Sequence, residues 1–434
     1  MVNLNFVNHI KYLLFLLPVS LPFGIAITEI IFLALICFFF IKNRDLKFLQ
    51  NKVFYFLIIV SLYFAVSAII QIHDNLKISS IFYFRYALFS LSIMFILFSI
   101  EKKINFNILF LLLFVSSLIV FDAFLQFFFG KNFFNYEIIS NRISGIFKDE
   151  LILGSFLLKI LPIIIWVLLI LNENIKKNKK YLILFFSAFF ICIYLSAERT
   201  SFALLLIFLT LTYLFIHRLR KVIFFSSLIL ILFIFFTSFI KIGKSDPSNR
   251  IFIKTFNQIT NYYFYNKKKP ETIKENKKGQ IEIRVNEQKK FQIFSSDHQG
   301  HYILAIELFK KNPLFGVGPK GFRYYCRTVN YDPPKGTCSV HPHNFLIQIL
   351  SETGIIGLLI YLFSIFFLIF KIFKIYKNEQ LDTLNKEQFL VISIALLINF
   401  FPLFPNGNFF NNWISIINYY YIGFYLYNYK KLFN

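Results

Sequence analysis

Residues 104–129 read INFNILFLLLFVSSLIVFDAFLQFFF. Asp122 is the one charged residue in this stretch, and a helix of its length is long enough to cross about 30 Å of hydrocarbon. Similar apolar runs recur along the 434-residue chain, which is 57% hydrophobic and 16% charged. A soluble domain is about 45 to 50% apolar and about 25% charged. The composition therefore predicts a polytopic membrane protein and excludes a cytosolic enzyme, a nucleic-acid-binding domain and a disulfide-rich secreted protein, despite a formal net charge of +24.

Charge clusters separate the apolar runs and thereby define the predicted membrane spans. Pro18 and Pro22 interrupt the first apolar stretch, so two short helices fit it better than one long helix. A cleaved signal peptide is not expected there, because the amino end carries little positive charge and the apolar run continues too far. The predicted fold class is an all-α, polytopic transmembrane helix bundle with about twelve spans. These spans cover residues 11–25, 27–41, 53–71, 80–100, 104–129, 151–171, 181–197, 200–216, 222–240, 353–373, 389–404 and 413–428.

The positions of Lys and Arg in the short loops predict how the bundle is oriented. Basic residues collect in alternate loops, beginning with residues 42–52, and the positive-inside rule places those loops in the cytoplasm. An even number of spans puts both termini there as well. The expected organisation is an N-terminal transmembrane bundle (1–240), one large periplasmic loop or lid (241–342) and a C-terminal transmembrane part (343–434), in the bacterial inner membrane.

The predicted outer loop contains several features of interest. Residues 301–313, HYILAIELFKKNP, predict an amphipathic helix that ends before Pro313. The following GVGPKGF, residues 316–322, has three glycines, which allow either a plain turn or the close approach of a ligand to the backbone. Cys326 and Cys338 lie further along, and they would either form a disulfide in an oxidising periplasm or remain two free thiols.

The most informative motif is HPHNFLIQILSETGIIG, residues 341–357, at the entrance to the tenth predicted span. His341 and His343 flank a proline, Asn344 follows, and two glycines three residues apart lie on one face of the coming helix. A purely structural interpretation makes the glycines a helix-packing surface and the histidines interfacial residues. No metal site is expected, because the two histidines are too close in sequence to chelate on one helical face and no Cys or carboxylate cluster accompanies them.

Charged residues in or near the spans supply a second set of candidates. Arg142 and Arg199 fall in predicted outer loops, on the same side as the two histidines. The forked guanidinium group binds phosphate well, although simple anchoring to lipid headgroups is an alternative role. Arg85 and Asp122 fall inside spans, where charges are costly, so they would pair with each other or line a transport path.

The string of His343, Asn344, nine further residues and GIIG resembles the signature of the O-antigen ligase family, which shares its membrane fold with O-antigen polymerases. The stretches KNPLFGVGPKGF (311–322), SAERTSF (196–202) and NRISGIFKDELILGSFL (141–157) are similar to further segments of that family. The resemblance implies a GT-C-like fold and a metal-independent, inverting glycosyltransferase that uses no cofactor. Such an enzyme takes a glycan from undecaprenyl diphosphate in the lipid bilayer and passes it to a hydroxyl on lipid A-core or on another glycan. It has no nucleic acid partner.

Residue roles follow from the same resemblance. His343 is implied to be the catalytic histidine, and Arg199 a catalytic arginine that binds the diphosphate. Family members commonly carry another arginine shortly before the amphipathic helix, where this chain reads SSDHQGHYILAIEL. The predicted substrate-binding residues are Arg142, His341, Asn344, Lys320 and the three candidates to replace that arginine, which are His298, Arg323 and Arg250.

The chemistry of these residue types agrees with that role. Histidine is the side chain best suited to accept a proton near neutral pH, and fixed cations stabilise a departing diphosphate. We favour the ligase over the polymerase because HN followed by GIIG is the ligase form of the signature; protein O-oligosaccharyltransferases share similar signatures. A twelve-span secondary transporter is the alternative from another class, although transporters concentrate their polar groups near the bilayer midplane in two related halves. The active site is expected to face the periplasm.

Overall fold

The computed structural model of the protein describes residues 4–42, 52–70, 78–171, 177–240, 242–257, 296–328 and 339–433. Within these residues the regular structure is helical, and β pairing is limited to two isolated bridges in the loop before the sixth helix. The all-α fold class is therefore confirmed for the described chain. The helices are α1 (Leu4–Leu16), α2 (Ile25–Lys42), α3 (Lys52–Ile70), α4 (Phe84–Ile100), α5 (Phe106–Phe129), α6 (Leu153–Ile170), α7 (Lys179–Leu195), α8 (Arg199–Phe215), α9 (Arg220–Phe239), α10 (Ser296–Lys311), α11 (Gly321–Thr328), α12 (Phe345–Lys377), α13 (Thr383–Asn399) and α14 (Asn412–Phe433).

Seven of the described helices are long and apolar enough to cross a membrane. They are α2, α3, α4 with its flanking turns (Ser80–Lys103), α5, α6, α9 with the turn before it (His217–Phe239) and α12. A helix lies at each of the twelve predicted positions, but α1, α7, α8 and α13 have 17 residues or fewer, and α14 is rich in Asn and Tyr. The helices indicate a multi-pass membrane protein, whereas the count of twelve spans and the separate loop domain stay predictions.

Ion pairs and loop contacts distinguish the two ends of the helical bundle. At one end Arg218, between α8 and α9, lies 3.3 Å from Glu387 near the start of α13. At the same end Lys431, near the end of α14, pairs with Glu101, which follows α4. The loops that follow α5, α7 and α9 contact one another at the other end, where α6 and α14 begin. We call this second end the loop end; which side of the membrane it faces stays a prediction.

The C-terminal helix α14 lies in the core of the bundle although it contains several Asn and Tyr residues. Gly423 lets α14 approach α4 closely, because a Cβ at this position would overlap the side chain of Ile93. Trp166 of α6 packs edge-on against Phe424 and donates from Nε1 to Asn428 Oδ1 at 3.1 Å. The hydrogen bond from Trp166 thus satisfies one of the buried polar groups of α14 and helps this helix to pack in the core.

Helix α12 is broken at Gly354, where φ is 67° and ψ is −168°. Only glycine adopts this backbone conformation readily. The chain that leads into the GVGPKGF segment crosses α12 at the break, and Val317 N donates to Ser351 O at 2.9 Å. Gly316 lies against the backbone just before Gly354, and a Cβ on Gly354 would overlap the main chain at Leu314. Gly354 therefore permits a crossing of two backbones instead of forming part of a helix-packing face.

Arg85 and Asp122, the charges inside predicted spans, have separate local partners. Arg85 Nη2 lies 3.9 Å from Glu29 Oε1 and donates to the Tyr86 hydroxyl at 2.8 Å. Asp122 accepts hydrogen bonds from the side chain of Asn132 and from the backbone N–H of Phe133, both at 3.0 Å. The alternative in which these two residues pair with each other is therefore wrong, and Asp122 instead fixes the loop that follows α5.

Candidate functional site

Among the described residues, three arginines gather at the loop end and form what we call the arginine cluster: Arg142, Arg199 and Arg250. Arg199 is the first residue of α8, and its Nε donates to the carbonyl oxygen of Arg250 at 3.0 Å. In turn, Arg250 Nε donates to the carbonyl oxygen of Ala197, two residues before Arg199, at 3.1 Å. The two guanidinium groups are thus interlocked through the backbone, and their permanent charges lie near each other.

Arg142 joins this cluster from the loop between α5 and α6. Its Nη2 donates to Leu151 O at 2.7 Å. Asn141, immediately before it, has a φ of 60°, in the left-handed region that Asn tolerates better than most residues. Burial lowers the pKa of Arg142, the carboxylate of Glu198 raises it, and Arg250 lowers it. These side chains therefore act on one another, and positive charge is in excess among them.

Glu198 is a residue of this region that sequence reasoning did not single out. It lies in the turn between α7 and α8, and its carboxylate accepts from Gly154 N at 2.6 Å and Ser155 N at 3.2 Å. The Ser201 hydroxyl also donates to it, at 2.8 Å. Burial raises the pKa of Glu198, while these hydrogen bonds and Arg142 lower it. Because the first N–H groups of a helix favour a negative charge, Glu198 ties the start of α6 to the start of α8.

Four histidines of the described chain form a second group, the histidine cluster: His298 and His301 of α10, and His341 and His343 of the loop before α12. The ring centroid of His343 lies 5.5 Å from that of His298, 5.4 Å from that of His301 and 4.0 Å from that of His341. His298 and His301 are three residues apart and so share one face of α10. The histidine motif therefore meets the predicted amphipathic helix, and His301 is a member that sequence reasoning missed.

The backbone of His343 has an uncommon conformation, with a φ of 59°. This region costs a residue other than glycine of order 1 kcal/mol or more and is frequent at functional sites. The His343 carbonyl accepts from Asn406 N at 2.8 Å, and its Nε2 lies 3.0 Å from Ser339 Oγ. Asn344 begins α12 as its N-cap, because its Oδ1 accepts from Ile347 N at 3.1 Å. The backbone contact with Asn406, the side-chain contact with Ser339 and the cap at Asn344 thus hold the imidazole of His343 at the start of α12.

Burial keeps the imidazoles of His341 and His343 neutral. For His343, burial and then His298 and His301 lower the pKa to about 4. For His341, burial and the neighbouring His343 lower the pKa to about 3. Both values lie well below the ordinary value of about 6.5. Near pH 7, His343 is therefore unprotonated and has a ring nitrogen that can accept a proton.

Arg323 lies near the histidine cluster, and Lys320 lies three residues before Arg323 in the chain. Lys320 has a φ of 66° in the GVGPKGF turn, and α11 begins immediately after it. Arg323, in the first turn of α11, lowers the pKa of His341 through its charge. Between them, Phe322 N donates to Oε1 of the buried Glu352 at 3.1 Å. Glu352 is a further residue that sequence reasoning did not single out, although it lies within the quoted histidine motif.

The predicted site residues thus fall into two groups at the loop end. Arg142, Arg199 and Arg250 form one group. His298, His341 and Arg323 lie around His343 or its neighbour, Asn344 follows it, and Lys320 lies in the GVGPKGF turn. The approach of His343 to Arg199 across these groups stays a prediction. The side chains of Cys326 and Cys338 lie outside the described part of the chain, so the disulfide stays open. In the part that is described, no group of three or more His, Cys, Asp or Glu side chains has the arrangement that holds a metal ion.

The apolar helices and the polar loop end define a multi-pass helical membrane protein with a candidate site at one end of its bundle. Residues 182–362 match the model of the O-antigen ligase family. This match confirms the family resemblance over that part of the chain. The matched range includes Arg199 and His343, whereas Arg142 precedes it. None of the curated proteins matches the chain. In general, the family implies lipid-linked glycan and lipid A-core as substrates.

Proposed function

We propose that the protein is a membrane glycosyltransferase that transfers a glycan from undecaprenyl diphosphate to a hydroxyl group on lipid A-core, with inversion and without a metal ion. The match of residues 182–362 to the family model supports the class of reaction. The observation that carries the proposal is that the loop end holds both a neutral, largely buried imidazole, His343, and a cluster of permanent positive charge. Transfer of a sugar from a diphosphate needs a group of each kind.

In the proposed reaction, the acceptor oxygen attacks the anomeric carbon of the donor sugar from the face opposite the diphosphate. His343 accepts the proton of the attacking hydroxyl as the new bond between carbon and oxygen forms. The bond between the anomeric carbon and the diphosphate oxygen breaks, and undecaprenyl diphosphate leaves with the electron pair. The configuration of the anomeric carbon inverts because attack and departure occur on opposite faces.

The arginine cluster stabilises the departing diphosphate in this mechanism. Preorganised cations in a water-poor site lower the energy of such a transition state by several kcal/mol. Arg250 is the best candidate for the second diphosphate-binding arginine, because its guanidinium group is interlocked with that of Arg199. His298 contacts His343, and Arg323 acts on His341, so we propose that both belong to the acceptor side of the site.

We further propose that the loop end faces the periplasm and that both termini are cytoplasmic, in the inner membrane. The support is the charge of the opposite end, where Arg218, Arg220 and Lys431 lie near the ends of apolar helices. An excess of Lys and Arg is typical of cytoplasmic loops. This orientation gives the site access to substrates on the outer leaflet. The three proposed parts of the chain remain 1–240, 241–342 and 343–434.

An O-antigen polymerase is the second candidate within the same family. It differs from the ligase in its acceptor, which is a glycan on the lipid carrier. A secondary transporter has less support. Arg85 and Asp122, the charges that suggested a transport path, are each engaged by local partners.

Deletion of the gene, followed by gel electrophoresis of the lipopolysaccharide, tests the proposed function. If the protein is a ligase, the deletion strain should carry bare core without long glycan. Expression of the wild-type chain should restore the long glycan, and expression of His343→Asn should not. Core that carries a single repeat unit would indicate the polymerase. Unchanged lipopolysaccharide in the deletion strain would contradict both forms of the proposal.

A further inference from the structure

Glu352 is a carboxylate buried completely inside α12, with 0% of the residue exposed. Burial of a carboxylate is unfavourable unless hydrogen bonds or opposite charges compensate for the lost water. Phe322 N donates to its Oε1 at 3.1 Å, and Gln348 Nε2 donates to its Oε2 at 2.9 Å. The backbone N–H of Lys320 also donates to it, and Arg323 supplies an opposite charge. The Glu352 carboxyl group therefore anchors the end of the GVGPKGF turn through the backbone at Lys320 and Phe322.

Glu352 is the last member of a polar stripe on α12 that consists of Asn344, Gln348 and Glu352. These residues are four positions apart, so they follow one another along one face of the helix. Gln348 is also completely buried, and its Nε2 donates to Asn408 Oδ1 at 2.8 Å. Its Oε1 accepts from Phe409 N at 2.9 Å. The stripe thus binds the loop before α14 as well as the GVGPKGF turn.

The stripe begins at the residue that follows the candidate base. Asn344 Nδ2 donates to Pro402 O at 3.0 Å, and the carbonyl oxygen of His343 accepts from Asn406 N at 2.8 Å. One end of the stripe therefore holds the backbone at His343, and the other end holds the backbone that leads to Arg323. A change at Glu352 would be transmitted to both through these hydrogen bonds.

We propose that Glu352 is a positioning residue that fixes Arg323 and His343 relative to each other through the polar stripe. The inference rests on the proposed function and extends it to a residue that does not touch the reacting atoms. Both carboxyl oxygens are essential to this role, because Oε1 accepts from Phe322 N and Oε2 accepts from Gln348 Nε2. Displacement of a catalytic group by about 1 Å is enough to lower a rate about a hundredfold.

Three variants of the full-length chain, purified in detergent, separate a positioning role from simple space filling. Glu352→Gln keeps the size of the side chain but replaces one carboxyl oxygen with an NH2 group, which would face other hydrogen-bond donors. Glu352→Asp keeps the charge and both acceptors on a shorter side chain. Glu387→Gln is the matched control, because Glu387 is 1% exposed and pairs with Arg218 at the opposite end. Glycan transfer is measured with an undecaprenyl-diphosphate-linked donor and lipid A-core acceptor.

We expect Glu352→Gln to lower kcat about 10-fold to 100-fold, with the KM for the donor changed less than about threefold. The donor KM should be spared because the side-chain hydrogen bonds described for the stripe go to the GVGPKGF turn and to the loop before α14. Glu352→Asp should retain more activity than Glu352→Gln, and Glu387→Gln should remain within about twofold of the wild type. A Gln variant equal to or better than the Asp variant would show that size alone matters and would overturn the proposal.

Hydrogen exchange of backbone amides supplies a readout that does not depend on catalysis. In folded Glu352→Gln, the amides of Lys320 and Phe322 should exchange faster than in the wild type, while that of Val317, bound to Ser351 O, should not. If the Gln variant does not fold, the same comparison is made with Glu352→Asp. Unchanged exchange at both amides would overturn the positioning role. An inactive wild type would instead contradict the proposed function, while faster exchange would still support the role of Glu352.

Discussion

Arg199 and Arg250, 51 residues apart, each donate an Nε hydrogen bond to the chain segment of the other, at 3.0 and 3.1 Å. Such reciprocal bonds hold two like charges near each other, which is unfavourable in the absence of an anion. A diphosphate carries the charge that would relieve this repulsion. We therefore propose that the pair forms an anion site at the loop end of the bundle.

Replacement of either arginine by lysine should weaken transfer although the charge is kept. Arg199→Lys and Arg250→Lys remove the Nε donor and the forked geometry, so we expect kcat/KM to fall about 10-fold to 100-fold in the purified transfer assay. Arg220→Lys is a matched control, because Arg220 also donates from Nε and Nη2 to carbonyl oxygens, at the opposite end. Equal losses in all three variants would show that the effect is structural and unrelated to the site.

Gly354→Ala should destabilise the protein. The alanine would have to adopt a φ of 67°, and its Cβ would overlap the backbone at Leu314. We expect the free energy of unfolding to fall by about 3 kcal/mol, from backbone strain and overpacking together. Gly321→Ala is the control, because its Cβ meets only the side chain of Val317. Denaturant unfolding in detergent provides the measurement, and similar stabilities of the two variants would contradict the backbone crossing.

The pH dependence of transfer should reflect the low pKa of His343. Because that pKa is lowered to about 4, the imidazole stays unprotonated well below pH 6.5, and the rate should decline only as pH falls below about 5. His301→Asn removes one imidazole that lowers this pKa, so the acid limb of its pH profile should move to higher pH. A wild-type profile with its acid limb at about pH 6.5 would contradict the buried state of His343.

Stability should depend on pH in the same direction. His341 and His343 have pKa values of about 3 and about 4 in the folded protein, lower than in the unfolded chain. The unfolded chain binds more protons as pH falls, so their contribution to stability is complete above about pH 6.5 and is lost as pH falls through about 4. His341→Asn should flatten the fall in thermal midpoint between pH 7 and pH 4. An equally steep fall in this variant would contradict the assignment.

Much of the bundle could be predicted because apolar runs and charge clusters are local properties of sequence. The break between α1 and α2 follows from Pro18 and Pro22 in the same way. Glu198 and Glu352 could not be recognised from the sequence, because their backbone donors are distant in the chain. The donors to Glu198 lie 43 and 44 residues away, and the donor to Glu352 lies 30 residues away. Their burial and their partners appear only once distant segments pack together.

The kink at Gly354 was missed for a related reason. The sequence GIIG is compatible with a straight helix that packs through its glycines, and only the crossing chain at Leu314 and Gly316 requires a break. The tenth predicted span, 353–373, lies inside α12, but the helix begins eight residues earlier, after Asn344. The amphipathic helix α10 was also expected, but the convergence of its histidines on His343 depends on tertiary packing.

The most direct test of the central claim is the rate of glycan transfer by purified His343→Asn. Asparagine tolerates the left-handed backbone of residue 343 but cannot accept the proton, so a large loss of activity in a folded variant would be chemical in origin. His217→Asn, at the opposite end, is the control. We predict that kcat falls at least about a hundredfold in His343→Asn with an unchanged thermal midpoint, and that His217→Asn retains activity. A folded His343→Asn protein that forms product at the wild-type rate would contradict the account.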